Sequence, residues 1–333
     1  MTKKSILEEL SGALGATAST SFEVDRYVDT GCAPLNRRIS GFYGGGWPQG
    51  RLVEMFGPSM CGKTALATLA MKSAVDMGGF AAFMDHERSF DIGLAKDGIG
   101  LDVDSGRFVH LRPDTFEESF SRSLNAAREI REKKLIPDDA PIILVYDSLA
   151  AMIPQSKLAK ELDNIKMSDK LALANATSQI LPIASQRAEK DNILIIMLNQ
   201  LRENPGDPYA PKFRTPGGKA PEFYSDVRIS LRSKPIKEGD KSRPDLGSHV
   251  TAQVLKTKLT APFQEANYEF RLMPDGTGRF DVLGCLIDEM VLCGLYQKAG
   301  AYIEIDGVKK YKSQWLKELN TVDLTAQLVA LEA

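Results

Sequence analysis

Between Arg51 and Val75 the chain reads RLVEMFGPSMCGKTALATLAMKSAV. An apolar, strand-like run ends at Gly57. Gly57, Pro58, Ser59, Met60, Cys61, Gly62, Lys63 and Thr64 then fit the pattern G-x-x-x-x-G-K-[ST], and a helical pattern follows until Gly78 and Gly79 stop it. No other feature constrains the fold as strongly. A glycine-bearing turn from strand to helix points successive backbone N–H groups into one concavity at a helix N-terminus, which is a nest for an anion. The pattern carries this meaning only between a strand and a helix, and both are present here. In that setting the amides of residues 57–64 would cradle a nucleoside triphosphate. Lys63 would bridge its β- and γ-phosphates, and the Thr64 hydroxyl would ligate Mg²⁺.

Downstream, the pattern repeats the same alternation. FMDHE closes a near-continuous apolar run, TFEESFSRSLNAAREIREKK has helical spacing, and PIILVYD is a second apolar run ending at Asp147. KLALANATSQILPIASQRAEK is helical again, and NILIIMLNQ is a third apolar run ending at Gln200. Apolar strands separated by helices imply right-handed crossovers and a parallel sheet covered on both faces. Three strand patterns then come in succession, DVRISLRS, HVTAQVLKTK and NYEFRLM, with no helix between them. They are expected to extend the sheet in an antiparallel or mixed way. The fold class is therefore α/β, a P-loop nucleoside triphosphatase core with a mostly parallel central sheet. Three segments are expected: an N-terminal helix and strand arm over 1–31, the core over 32–274, and a small α+β domain over 275–333.

Bulk properties exclude several classes. The 333 residues are 43% hydrophobic and 26% charged with a formal net charge of −2, values of an ordinary folded protein. No run approaches the roughly 18–20 apolar residues of a membrane span, and the start, MTKKSILEELSGAL, lacks the apolar core of a signal peptide. A cytoplasmic protein is expected. The cysteines Cys32, Cys61, Cys285 and Cys293 form no C-x-x-C pair, so neither a zinc site nor a disulfide framework is expected. Arg202 to Lys258 holds 12 Lys or Arg against 7 Asp or Glu, a local excess that suits a nucleic acid or simply a solvated face.

Three strand ends carry candidate chemistry. Asp147, at the end of IILVYD, can hold Mg²⁺ through water. Asp85 and Glu87 end another strand, where a Glu can orient and deprotonate an attacking water or can equally be a solvated strand end or cap. Gln200 could touch a γ-phosphate. After it comes LRENPGDPYAPKFRTPGG, a stretch without periodicity, and long irregular segments in compact domains are usually functional. Arg202, Lys212 and Arg214 alternate there with Tyr209 and Phe213, a basic and aromatic mixture that suits a single strand of nucleic acid. In VLKTK, Lys256 and Lys258 fall two apart on a strand and so share a face. No acidic run in the chain is evident to neutralise them, so an anion on another subunit would do so. The other reading is a pair of exposed lysines that discourage edge-to-edge aggregation.

Taken in order, DTGCAPLNRRI, GRLVEMFGPSMCGKT, FMDHERSFD, YDSLAAMIP, LNQLR, TPGGKA, VLKTKLTAPF and KAGAYI cover almost the whole chain and resemble the RecA recombinase family. The resemblance implies that Glu87 is the catalytic glutamate, with Lys63 and Gln200 beside it, and that Asp91 lies near the adenine. It implies DNA-binding loops over 162–170 and 201–218, with Lys170, Ser178, Arg202, Tyr209, Lys212, Arg214, Gly217 and Gly218 as DNA-facing positions. Lys256 and Lys258 would reach the ATP of a neighbouring protomer, and Phe223 would lie at the protomer interface. There are departures. Lys170, Pro205 and Tyr209 stand at the wedge positions of the two loops, Glu222 stands where the family tends to have a basic residue, and the chain ends at LVALEA without an acidic tail. These describe a divergent member, of the kind a virus could encode.

The function this implies is ATP- and Mg²⁺-dependent assembly of a homo-oligomeric filament on single-stranded DNA, followed by pairing with a homologous duplex. Two alternatives share the core. A hexameric helicase would supply an arginine finger in trans and has no need of TPGG. A non-catalytic recombination mediator would have a silent ATP site, against which the intact Lys63, Thr64, Glu87 and Asp147 argue.

Overall fold

The computed structural model describes residues 24–158, 171–203, 213–236, 247–272 and 278–332. Most of the expected 1–31 arm, its helix included, lies outside the described residues, as do the loop 162–170 and Lys170, Tyr209 and Lys212.

A short strand β1 (Tyr27–Val28) leads to helix α1 (Ala33–Ser40), which begins with a proline in its first turn and ends at Gly41 in the left-handed region. Strand β2 (Trp47–Pro48) pairs back on β1. Then follow β3 (Leu52–Gly57), α2 (Lys63–Asp76), β4 (Phe80–Asp85), β5 (Phe108–Leu111), α3 (Phe116–Glu132), β6 (Ile142–Asp147), α4 (Ala172–Asp191) and β7 (Ile193–Gln200). Two short strands, β8 (Arg202–Glu203) and β9 (Phe213–Arg214), precede helix α5 (Ala220–Tyr224). After it come β10 (Val227–Ile236), β11 (Gly247–Thr257), β12 (Gln264–Leu272) and β13 (Gly278–Phe280).

Nine of these strands form one sheet in the order β13-β12-β11-β10-β3-β7-β6-β4-β5. From β10 to β5 all neighbours are parallel, and from β10 to β13 all are antiparallel. The division follows the sequence. β3, β6 and β7 are almost wholly buried, as a strand covered on both faces must be, whereas β11 alternates buried with half-buried residues. Strand β5 does not stand out in the sequence, because its residues are only half-buried or exposed at the sheet's edge.

Two apolar cores flank the sheet. One packs α1 and α2 on it through Leu35, Ile39, Leu66, Ala70 and Met71, and the other packs α3 and α4 through Phe116, Phe120, Leu181 and Ala184. Helix α3 is fixed at its start by Thr115, whose hydroxyl accepts from the Glu118 amide at 3.2 Å. After β13, helix α6 (Val282–Leu292), a three-stranded sheet of β14 (Gln297–Ala299), β15 (Tyr302–Ile305) and β16 (Val308–Tyr311), and helix α7 (Thr321–Ala330) share a third core around Leu286, Met290, Trp315 and Leu328. Tyr43 and Ala33 join that core, and buried Glu289 of α6 accepts from Arg38 (3.0 Å) and from the Tyr43 hydroxyl (2.8 Å), which ties the C-terminal unit to α1.

Candidate nucleotide site and nucleic-acid face

The carboxyl ends of β3, β4, β6 and β7 lie side by side, with Gly57 in register with Gln200 and Asp85 with Asp147. This edge gathers the sequence candidates. The turn after β3 is strained where the pattern requires it. Met60 has φ 60° and Gly62 φ 88°, and a Cβ at Gly57 would collide with the Leu231 carbonyl of β10. Lys63 is buried, and its ammonium donates to the Gly57 and Pro58 carbonyls at 3.2 and 2.7 Å. The Thr64 hydroxyl donates to Asp147 Oδ2 at 2.8 Å. Asp147 is only 3% exposed, and burial pushes its carboxyl up to about 7 against the opposing hydrogen bond from Thr64. A hydroxyl and a buried carboxylate that lacks full charge compensation make a donor set suited to a hard divalent cation such as Mg²⁺.

Asp85 and Glu87 separate in role. Asp85 is fully buried and accepts from the Ser89 and Phe90 amides at 3.1 and 3.3 Å, with His110 Nε2 at 3.2 Å. It anchors the turn that presents Glu87, and Arg88 in that turn has φ 58°. Glu87 itself faces β7: its Oε1 accepts from Gln200 Nε2 at 2.8 Å and from the Ser148 hydroxyl. The neighbouring His86 is pushed down to about 4 by burial, so its ring is neutral. Asp91 lies apart from this cluster in one respect: its Oδ1 caps the turn at Leu94 (2.9 Å).

A buried polar chain leads away from Gln200. The Asn199 side chain accepts from the Gln200 amide (3.0 Å) and donates to the Pro216 carbonyl (3.0 Å) and to Glu54 Oε1 (2.9 Å). Glu54, with no exposed surface in the middle of β3, also takes Arg228 Nε on Oε2 at 2.7 Å. Arg228 continues to Glu222 of α5 at 3.2 Å. The sequence reading missed Ser148, Glu54 and Arg228. The signal for Glu54 was available: a carboxylate in an otherwise apolar central strand must find partners.

The stretch after Gln200 is more regular at its described ends than expected. β8 and β9 pair antiparallel, with Arg202 directly across from Arg214, both exposed. Like charges opposite each other on a ladder repel, and an external anion relieves this. Gly217 and Gly218, at φ 95° and 72°, lie against the start of α4, where the Thr177 hydroxyl donates to the Gly217 carbonyl at 2.7 Å and exposed Ser178 is the next residue.

Phe223 is 72% exposed on α5. Lys256 and Lys258 come to the same region, and here the sequence argument is corrected. An intramolecular carboxylate does serve them: Lys258 Nζ lies 2.6 Å from Asp226 Oδ1, while Lys256 Nζ donates to the Glu222 and Phe223 carbonyls at 2.8 and 3.0 Å. Their position on the sheet is equally telling. Val227 pairs with Val53 and with Thr257, at the amino end of β3, whereas the P-loop leaves its carboxyl end against Leu231. Five residues at roughly 3.3 Å each put about 16 Å of strand between Asp226 and Leu231. The lysines therefore occupy the edge of the sheet opposite their own P-loop. Among the described residues no helix is long and apolar enough to cross a membrane.

Comparison with known proteins agrees with this architecture. Residues 11–276 match the family model of the RecA N-terminal domain. The chain is 34% identical over 266 residues to Protein RecA of Chloroherpeton thalassium, covering 80% of this chain and 68% of that one. It is 33% identical to Protein RecA of Clostridioides difficile (89% and 77% covered) and 32% identical to that of Bacteroides thetaiotaomicron (90% and 83%). The crystal structure of the RadB recombinase has the same fold over 76% of this chain and 98% of its own, with a TM-score of 0.50 at 21% identity. The chain belongs to the RecA recombinase family.

Proposed function

We propose that this protein is a cytoplasmic, ATP-dependent recombinase that assembles on single-stranded DNA, pairs it with a homologous duplex and hydrolyses ATP in doing so. The observation that carries the reading is the separation of functions between the two edges of one sheet. The carboxyl edge gathers Lys63, Thr64, Asp147, Glu87 and Gln200 around the P-loop, and the amino edge offers Lys256, Lys258 and Phe223, out of reach of that same P-loop. Such surfaces complement each other head to tail, and a head-to-tail interface repeats into a ring or a helical filament.

Within this reading, the amides of residues 57–64 hold the phosphates, and Lys63 leaves its two loop carbonyls for the β- and γ-oxygens. Thr64 and Asp147 would hold Mg²⁺, which neutralises phosphate charge when bound. Glu87 orients and deprotonates the attacking water. Gln200 donates to Glu87 in the structure, and a γ-phosphate competes for that amide. Asn199, joined to both the Gln200 amide and the Pro216 carbonyl, passes the change to the Arg202–Gly218 segment. Arg202, Arg214, Gly217, Gly218 and Ser178 line the DNA face, and a DNA-binding role is assigned to Lys170, Tyr209 and Lys212 as well. Asp91 lies toward the base. The arm 1–31, the core 32–274 and the C-terminal unit 275–333 are the domains of this scheme.

The test is to measure ATP turnover with and without single-stranded DNA and to image the product. Stimulated turnover on filaments is expected. Closed rings that translocate, or absence of turnover, would overturn the reading.

A further inference from the structure

Lys258 is committed to an internal partner. Its ammonium sits 2.6 Å from Asp226 Oδ1, and the side chain of Asp226 is 6% exposed while that of Lys258 is 43% exposed. Asp226 cannot follow the lysine outward. Its amide donates to the Leu52 carbonyl at 2.8 Å, and its Oδ2 accepts from the Leu52 amide at 3.2 Å, so both its backbone and its carboxylate are locked to the first residue of β3. Lys256 is parked in parallel on the last carbonyls of α5, and burial followed by the charge of Lys258 lowers its pKa. Lys258 beside a carboxylate and Lys256 on two carbonyls thus lie close together, at the edge that faces away from their own P-loop.

We propose that Asp226 is a positioning residue that withholds Lys258 from the nucleotide of the neighbouring protomer, so that Lys258 is released only to a ligand carrying more negative charge than a single carboxylate. The inference rests on the reading that Lys256 and Lys258 act in trans. When Lys258 swings to the neighbour, Asp226 stays buried with the Leu52 amide as the donor on its other oxygen, and that loss opposes assembly. A triphosphate offsets the loss with several charges spread over adjacent oxygens, and a diphosphate offers fewer. The exchange therefore sets a threshold for assembly that is the same for both ligands, and a triphosphate, with the larger interaction energy, exceeds it where a diphosphate does not. It also keeps a free protomer from presenting an uncommitted pair of ammonium groups to any passing polyanion.

Asp226→Asn tests this. It preserves shape and an acceptor oxygen for the Leu52 amide while removing the charge. With single-stranded DNA in excess, the ATP concentration for half-maximal turnover should fall about tenfold, the size of an ordinary coupling between sites. The maximal rate should hold, and ADP should become a better support for assembly. In a Lys258→Ala background the same change should have no effect. Unchanged half-saturation in a folded Asp226→Asn protein overturns the proposal. A rise in half-saturation also overturns it, since Asp226 would then aim Lys258 at the neighbour. An effect that persists without Lys258 shows a role in the sheet alone and overturns it too. Should Asp226→Asn not fold, Asp226→Ser, whose hydroxyl can accept from Leu52, carries the same expectation. The underlying trans reading fails separately: it falls if Lys256→Ala/Lys258→Ala turns over ATP normally, whatever Asp226→Asn does.

Discussion

The two edges of the central sheet solve opposite problems with the same kinds of side chain. At the carboxyl edge the polar groups are buried and hold one another: Thr64 on Asp147, Gln200 and Ser148 on Glu87, Lys63 on the loop carbonyls. At the amino end of β10 and the carboxyl end of β11 the cations stand at the surface, Lys258 beside Asp226 and Lys256 on the end of a five-residue helix. The first arrangement is preorganised for a ligand that enters it. The second, on the reading proposed above, is completed by the nucleotide of a neighbouring protomer. The contrast fits a chain that carries two half-sites, as proposed, rather than one site with an accessory patch.

The strongest challenge to that contrast is a mixing experiment. Lys63→Ala alone and Lys256→Ala/Lys258→Ala alone should each lose DNA-stimulated turnover while staying folded. Mixed, they should regain part of it, because some junctions join an intact P-loop to intact lysines. Full activity of the lysine variant, or no recovery on mixing, breaks the two-edge picture. A smaller effect probes the carboxyl edge by itself. Glu87→Gln keeps an oxygen for Gln200 and Ser148, so ATP-dependent DNA binding should persist while turnover drops about 10²–10⁴-fold, the usual worth of a general base. Turnover at the original rate would remove Glu87 from the chemistry. The smallest effect sharpens the electrostatics. Asp147 titrates near 7 because burial disfavours its charge, and a metal needs the ionised form. Affinity for the magnesium nucleotide should therefore fall as pH drops below about 7, by up to about tenfold per unit, and Asp147→Asn should remove that part of the pH dependence. Equal affinities at pH 6 and pH 8 in the unaltered protein would refute it.

The parallel half of the fold was legible because β6 and β7 are each an unbroken apolar run that ends in a polar residue and β3 is apolar but for Glu54, the composition that burial on both faces selects. The P-loop was legible because its backbone geometry needs glycine at fixed positions. What stayed hidden was whatever depends on residues far apart in sequence. Glu54 looks like an intrusion into β3 until Asn199 and Arg228 arrive from 145 and 174 residues away. Asp226 is unremarkable in DVRISLRS, and only the pairing of β10 with β11 puts it under Lys258. The β8–β9 pairing escaped for a different reason: two-residue strands carry no periodicity to read.

If the two edges meet head to tail as proposed, they also fix an arithmetic of assembly. A lone protomer has a P-loop with no lysines over it and lysines with no P-loop beneath them, so it contains no complete site. A filament always holds one complete site fewer than it has subunits, and its two ends are chemically unlike: one shows a bare nucleotide, the other a bare pair of cations. Growth, exchange and dissociation at the two ends then need not proceed at the same rate. Turnover per subunit should vanish on dilution and approach a plateau only in long assemblies, so the length of a filament is itself written into its rate of hydrolysis.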